Sequence, residues 1–231
     1  MTDTNPVQQA NDERVGVLLV DDHPLVRQGL ASLINRSEDL QVIGQAASSQ
    51  EALQLMEDQE PQVAVVDLSL AGGSGIDLIK EISKRHPSVI VLVLTMHDEL
   101  FYAERSLRAG ARGYVMKGES TDEVLEAIRQ VLKGEVYVSE HLQSVLVQRA
   151  ADPSPNSPSS AVESLSDREL EVFELVGRGQ PTREIAKQLS VSVKTVETHR
   201  HRIKEKLGLS SGTQMVRYAI RWVERQAGNP A

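Results

Sequence analysis

The chain has 231 residues, a formal net charge of −8 at pH 7, 40% hydrophobic residues and no cysteine. That length suits one large domain or two ordinary ones, each able to bury its own core. The missing cysteine excludes disulfides, thiolate zinc sites and cysteine nucleophiles. No apolar run approaches a membrane span, and residues 1–14 are polar without the hydrophobic core of a signal peptide, so the expectation is a soluble, cytoplasmic protein with a flexible N-terminal tail over 1–14.

Charge divides the chain. Residues 1–150 hold 13 Lys/Arg against 23 Asp/Glu, whereas residues 151–231 hold 12 against 10. Residues 182–206 alone carry seven basic and three acidic side chains, a local basic face on an acidic protein. Overall acidity argues against indiscriminate nucleic-acid binding and leaves selective binding open.

From Val15 the pattern alternates strands with amphipathic helices. Residues 15–20 read as a strand followed by Asp21-Asp22. Pro24 pre-sets the first turn of a helix to Ile34, with Leu25, Val26, Leu30, Leu33 and Ile34 at helical spacing. A strand over 41–45 and a helix over 50–57 follow. Residues 63–70 form a β-branched, apolar run that fits a strand buried on both faces, with Asp67 set into its end. Such a strand has no use for a carboxylate inside the core, so Asp67 belongs where the strand emerges, at the edge where open α/β sheets gather ligands. After a flexible Gly72–Gly75 turn come a helix over 76–84, a strand over 89–94 ending at Thr95, a helix over 99–108 closed by Gly110, a strand over 113–116 ahead of Lys117, and a helix capped by Thr121 running to 133. Short right-handed βα connections make a five-stranded parallel sheet, doubly wound with helices on both faces, the economical solution.

Residues 140–150 suit one more helix. Residues 151–160 are rich in Pro and Ser and read as a linker. Beyond it the pattern is all helical. Ser166 and Glu169 form a capping box, and the helix they open ends near Gly177 and Gly179. Helices over 182–189 and 193–207 flank Ser190-Val191-Ser192, a helix-turn-helix spacing, and a last helix spans 213–225. On the helix over 193–207, Val196, Ile203 and Leu207 share one stripe, while Glu197, Thr198, His201 and Glu205 lie largely opposite. The division is a receiver-sized unit over 15–135, a helix and linker over 136–162, and a four-helix unit over 163–231.

If the strands run parallel, Asp21, Asp22, Asp67, Thr95 and Lys117 meet at one edge. A capping role for Asp21 or Asp22 is the plain alternative, but three carboxylates beside a hydroxyl and an ammonium suit a divalent cation and a phosphoryl group. Leu18-Leu19-Val20-Asp21-Asp22-His23-Pro24, Val66-Asp67-Leu68 with Gly75 downstream, Leu94-Thr95 and Gly113-Tyr114-Val115-Met116-Lys117 resemble the flavodoxin/CheY-like receiver domain of bacterial two-component response regulators, and the Asp-Asp-His-Pro opening resembles the NarL/LuxR (FixJ) type. The resemblance implies that Asp67 takes a phosphoryl group from a sensor histidine kinase. It also implies that Asp21, Asp22, Asp67 and the Ser69 carbonyl hold Mg2+, that Lys117 binds a phosphoryl oxygen, and that Thr95 moves towards the phosphoryl group with Tyr114 following inwards. Ala71 and Gly118 stand where many receivers have proline.

Leu165-Ser166-Asp167-Arg168-Glu169, Glu184-Ile185-Ala186 and Val193-Lys194-Thr195-Val196-Glu197-Thr198-His199 resemble the LuxR-type helix-turn-helix domain, departing at Gln180-Pro181-Thr182. That resemblance implies double-stranded DNA as a partner, with Glu197, Thr198 and His201 towards base edges and Lys194, Thr195, Arg200, Arg202 and Lys206 at the groove or its phosphates. It further implies a homodimer, with Met215, Tyr218, Ala219 and Trp222 of the last helix as the pairing face. In the resting chain the acidic receiver is expected to cover the basic recognition helix. Two rivals stand beside this reading: an α/β enzyme of phosphate chemistry, which lacks any Gly-rich phosphate loop here, and a receiver-like pairing module with constitutive DNA binding.

Overall fold

The computed structural model describes residues 14–70, 73–151 and 158–227. Of the expected tail only Arg14 is included, and Ala71 and residues 152–157 of the expected linker lie outside the described residues. Five strands form one parallel sheet in the order β2-β1-β3-β6-β7: β1 (Val15–Val20), β2 (Leu40–Ala46), β3 (Val63–Val66), β6 (Ile90–Thr95) and β7 (Gly113–Met116). The crossovers are α1 (Pro24–Ile34), α2 (Ser49–Gln59), α3 (Gly75–Arg85), α4 (Glu99–Ala109) and α5 (Thr121–Leu132). Alternation along each strand divides the core. Val17, Leu19, Val63 and Val65 face α1 and α5, while Leu18, Val20, Ala64 and Val66 face the opposite side with Met56, Ile79 and Tyr102.

The apolar run over 63–70 is not one strand. β3 stops at Val66, and the chain turns back on itself as a two-strand hairpin of β4 (Ser69–Leu70) and β5 (Gly73–Ser74) before α3 begins. Asp67 therefore stands one residue beyond the sheet rather than within it, and part of the turn read as flexible is paired. Gly75 opens α3 with its amide donating to the Leu68 carbonyl at 3.0 Å. A Cβ there would strike the Asp67 carbonyl oxygen and the Leu68 Cα, so only glycine lets α3 start against the segment that carries Asp67. The cap of α5 is Ser120 rather than Thr121: its side chain accepts from Glu123 N, and Glu123 reaches back to the Ser120 amide.

After α6 (Glu140–Ala151) and a short α7 (Pro158–Glu163), which the linker composition did not suggest, four helices form the C-terminal unit: α8 (Asp167–Gly177), α9 (Thr182–Gln188), α10 (Val193–Lys206) and α11 (Gly212–Ala227). Ser166 caps α8 with the expected box, and Ser192 caps α10. At Gly177 a Cβ would collide with the Ala219 carbonyl and Val223, which fixes how closely α8 and α11 approach. No described helix is long and apolar enough to cross a membrane.

The two units share a continuous apolar cluster on the α3–α4 side of the sheet. Helix α4 rests on α8 and α11: the Phe101 ring lies 4.6 Å from that of Trp222, and Tyr102 donates to Glu174. The expected covering of the recognition helix is thus not what is seen. Glu197, Thr198, His201 and Glu205 of α10 remain exposed, and the receiver-sized unit sits on α8 and α11 instead, where apolar area is available to bury.

Gly75→Ala is expected to destabilise the protein by about 1–3 kcal/mol, the range for overpacking a well-filled site, measured by urea unfolding. Wild-type stability for this variant would show that the approach of α3 to Asp67 is not the constraint.

Candidate functional site

Strand register builds the site. Val20 pairs with Val66, Val66 with Val93, and Thr95 with Met116, so the residues at or just beyond these ends come level. The Asp67 amide donates to the Val20 carbonyl (2.8 Å), that of Asp21 to Ala46 (3.1 Å) and that of Lys117 to Thr95 (2.8 Å), carrying the ladder one residue past each strand. The expected gathering of Asp21, Asp22, Asp67, Thr95 and Lys117 is therefore what the fold produces. Asp21 and Asp67 are buried (3% exposed each) and Thr95 entirely so.

Lys117 is the counter-charge. Its Nζ lies 2.5 Å from Asp67 Oδ2 and 2.8 Å from Asp21 Oδ2, with little solvent around any of the three. Burial works to lower the lysine's pKa, but Asp67 and Asp21 outweigh it and hold the ammonium above its ordinary range. Asp22 goes the other way. Partial burial, together with the charges of Asp67 and Asp21, raises its carboxyl against the opposing effect of His23. His23 Nδ1 sits 2.8 Å from Asp22 Oδ1, and Asp21 Oδ1 accepts from the His23 amide at 2.8 Å, so neither aspartate acts as a side-chain cap of α1. Arg27 donates to the Asp21 carbonyl and braces this loop.

Asp21, Asp22, His23 and Asp67 each place a ligand atom within 4.8 Å of the others. Three carboxylates with one compensating lysine form a hard-oxygen donor set with uncompensated negative charge, which fits a divalent cation kept partly hydrated. Ser69 borders the group and its amide donates to Asp67 Oδ1 at 3.2 Å. Tyr114, expected to follow inwards on switching, is already 1% exposed, with its hydroxyl donating to the His97 carbonyl at 2.8 Å.

The cluster opens into a cleft of about 360 Å³ between the two units, lined by Asp22, Asp67 and Lys117 on one wall and Arg168, Glu171 and Glu174 on the other. The second wall had no counterpart in the sequence reading. Its signal was present in the spacing: Glu171, Glu174 and, at the C-cap, Arg178 recur at helical spacing along α8, and the structure buries all residues from Glu169 to Val176. His97, two residues past Thr95, was likewise missed; it stands 2.9 Å from Ser69 Oγ through Nε2 and 3.2 Å from Glu174 Oε2 through Nδ1.

On the helix-turn-helix, Val196 and Ile203 point into the bundle and Lys194, Glu197, Thr198, His201 and Arg202 are exposed, as the periodicity suggested. Thr182 Oγ1 donates to Glu197 Oε1 at 3.1 Å, Thr198 bonds back to the Lys194 carbonyl, and Thr195 is tied to the Ser192 cap. Arg200 is half-buried beside Thr182. Lys206 departs from expectation: its Nζ lies 2.6 Å from the buried Glu169 carboxylate and 3.2 Å from the Ser164 carbonyl, so it staples α10 to the start of α8 rather than reaching outward. The pairing face expected on α11 is also occupied within the chain. Met215 and Ala219 are fully buried, Tyr218 stands edge-on to Phe173, and Trp222 packs between Phe173 and Phe101.

Residues 17–129 match the family described as response regulator receiver domain, and residues 163–219 match bacterial regulatory proteins of the luxR family. The chain is 39% identical over 212 residues to the oxygen regulatory protein NreC of Staphylococcus haemolyticus, covering 89% of this chain and 96% of that protein. Among solved structures it is similar to RcsB from Salmonella enterica serovar Typhimurium bound to promoter rprA in the presence of phosphomimetic BeF3− (TM-score 0.61, 27% identity, 89% of this chain and 98% of that one). It is similar also to a structure of two RcsB dimers bound to two parallel DNAs (TM-score 0.55, 27% identity, 89% and 97% covered).

Lys117→Met keeps the volume and removes the counter-charge, leaving two buried carboxylates uncompensated. The expected loss is about 3–5 kcal/mol of unfolding free energy, partly recovered on adding a divalent cation, measured by chemical denaturation. An unchanged unfolding free energy would mean that the ammonium is not what makes the buried carboxylates tolerable.

Proposed function

The chain belongs to the two-component response regulators that join a receiver domain to a luxR-family DNA-binding domain, and from that premise we propose that Asp67 is the phosphoacceptor of a cytoplasmic phosphorelay. The protein is a DNA-binding regulator of transcription. The observation that carries the assignment of Asp67 is its carboxylate at the end of β3, 2.5 Å from Lys117 and within 4.8 Å of the oxygens of Asp21 and Asp22.

In the proposed reaction an Asp67 carboxylate oxygen attacks phosphorus on a phosphohistidine of a sensor kinase. A P–O bond forms, the P–N bond breaks with its electron pair going to the imidazole, and the imidazole takes up a proton. Asp21, Asp22 and Asp67, with the carbonyl of Ser69, would hold Mg2+, which when bound neutralises charge on the oxygens around phosphorus. Lys117 already faces Asp67 and exchanges a carboxylate partner for a phosphoryl oxygen. Thr95, buried one strand away, offers a hydroxyl donor to the same oxygens. Asp67 accepts one phosphoryl group per cycle, so the protein is a stoichiometric acceptor rather than an enzyme that turns over a free substrate.

The output is double-stranded DNA bound by α10, with Glu197, Thr198 and His201 at base edges and Lys194, Thr195, Arg200 and Arg202 nearer the backbone. Two copies on half-sites about one helical turn apart would supply specificity that one short helix cannot. A pairing module with constitutive DNA binding is not favoured, because a fully equipped acceptor cluster would then have no use.

Mg2+-dependent labelling of Asp67 by phosphoramidate, read by mass spectrometry of the intact protein and its peptides, tests the acceptor. Labelling that persists in Asp67→Asn, or none in wild type, would refute it. On the DNA side, Lys194→Ala is expected to weaken binding on all sequences alike and to reduce the salt slope by about 1. Glu197→Ala is expected to relax base preference in a selection on randomised duplexes, and an unaltered preference would remove that residue from the readers.

A further inference from the structure

Glu174 is a charged residue in a place where the DNA-binding unit alone has no need of one. Its side chain is 8% exposed, on the face of α8 turned towards the receiver. Oε2 accepts from the Tyr102 hydroxyl at 2.8 Å and stands 3.2 Å from His97 Nδ1, both on the receiver, while Oε1 accepts from Arg178 of its own helix at 2.6 Å. Burial alone would raise this carboxyl, yet His97, Arg178 and Tyr102 together hold it below its ordinary range, so it is a carboxylate that depends on its partners across the interface.

Those partners are set by the acceptor site. The His97 amide donates to Thr95 Oγ1 at 3.4 Å, its carbonyl accepts from the Tyr114 hydroxyl at 2.8 Å, its Nε2 lies 2.9 Å from Ser69 Oγ, and its ring lies 4.4 Å from that of Tyr102. Other contacts also hold the two units together. Arg105 donates to the carbonyls of Leu165 and Glu163 and to Asp167, Lys80 meets Asp167, and Phe101 meets Trp222. Among these described contacts, the Glu174 pairing is the one built on a residue that also touches Thr95 and Ser69.

We propose that Glu174 is a latch, through which phosphorylation of Asp67 releases the DNA-binding domain by drawing His97 away from it. The latch rests on Asp67 as the phosphoacceptor. A phosphoryl group on Asp67 brings strong acceptor oxygens into reach of the Thr95 and Ser69 hydroxyls. As the Thr95 side chain shifts to the phosphoryl group and Ser69 Oγ turns to it, His97 loses two of its three hydrogen bonds within the receiver, from its amide to Thr95 Oγ1 and between Nε2 and Ser69 Oγ; once it swings away, Glu174 is left buried with Arg178 and Tyr102 alone. Opening lets the carboxylate hydrate. It also lifts the far wall of the cleft off Asp67 and uncovers the Trp222 edge that Phe101 of α4 covers in the closed form, so that this part of α11 becomes available for a second copy. The recognition helix is exposed in the closed form, so the latch governs pairing rather than access of α10 to DNA.

The chain's single tryptophan reports the event. In full-length protein, acrylamide quenching of Trp222 is measured before and after Mg2+ and phosphoramidate, with Asp67 labelling followed in parallel by intact mass. Wild type is expected to be shielded when unlabelled and quenchable when labelled. Glu174→Gln, and independently Tyr102→Phe, which keeps the ring and leaves the bundle's own core untouched, should each shift the closed–open equilibrium at least tenfold towards open, about 1.4 kcal/mol, making Trp222 accessible without phosphodonor. Labelled wild type with Trp222 still shielded, or both variants as shielded as wild type, would overturn the latch. An absence of labelling would instead overturn the acceptor assignment beneath it.

Discussion

Three carboxylates crowded at the ends of buried strands, with one ammonium between them, are the constraint on which the rest of this protein depends. Asp21 and Asp67 are nearly excluded from water, and their charge is tolerable only because Lys117 sits within hydrogen-bond distance of both. The sheet supplies that proximity, because β1, β3, β6 and β7 are paired in fixed register and the Asp21, Asp67 and Lys117 amides each carry a ladder one residue past the strand. The result is a site whose charge balance is incomplete by construction. It calls for a cation, and it has a lysine and a buried threonine that can turn from carboxylate and backbone partners to phosphoryl oxygens.

Most of the sheet and the acidic cluster at its edge was legible in the sequence because both follow from local rules. β-branched runs of strand length, helical spacing between them and a polar residue after each run identify the parallel sheet and its carboxyl edge. Where the reading went astray in this half, the cause was local pairing that composition by itself does not show. The run over 63–70 looks like one strand by composition, but the hairpin Ser69–Leu70 with Gly73–Ser74 takes its second half for the loop that α3 closes over. Ser120 and Thr121 are both good caps by type, and the reciprocal bond between Ser120 and Glu123, at a Ser-x-x-Glu spacing the sequence carries, separates them.

On the helical side, amphipathicity correctly divided α10 into a buried stripe and a charged face, since that division is intrinsic to one helix. It could not say which charged residues are spoken for. Lys206 has the composition of a phosphate contact, yet the buried Glu169 carboxylate claims it. Met215, Ala219 and Trp222 have the apolar character of a pairing face, but α8 and α4 reach them first. The same competition explains where the receiver rests. α8 and α11 offer apolar area and a buried glutamate whose partners lie across the interface, whereas α10 offers charges that are better left in water. Charge complementarity between the two units, visible in the composition, therefore predicted contact and misplaced it.

The central claim is that loading the acidic cluster changes what the distant helices do. The most direct measurement is the equilibrium affinity of the full chain for a selected duplex at one salt concentration with Mg2+, with and without phosphoramidate, beside Asp67→Asn. The account predicts tighter binding by the treated wild type and no change in the variant. Equal affinity of treated and untreated wild type, with Asp67 demonstrably phosphorylated, would contradict it.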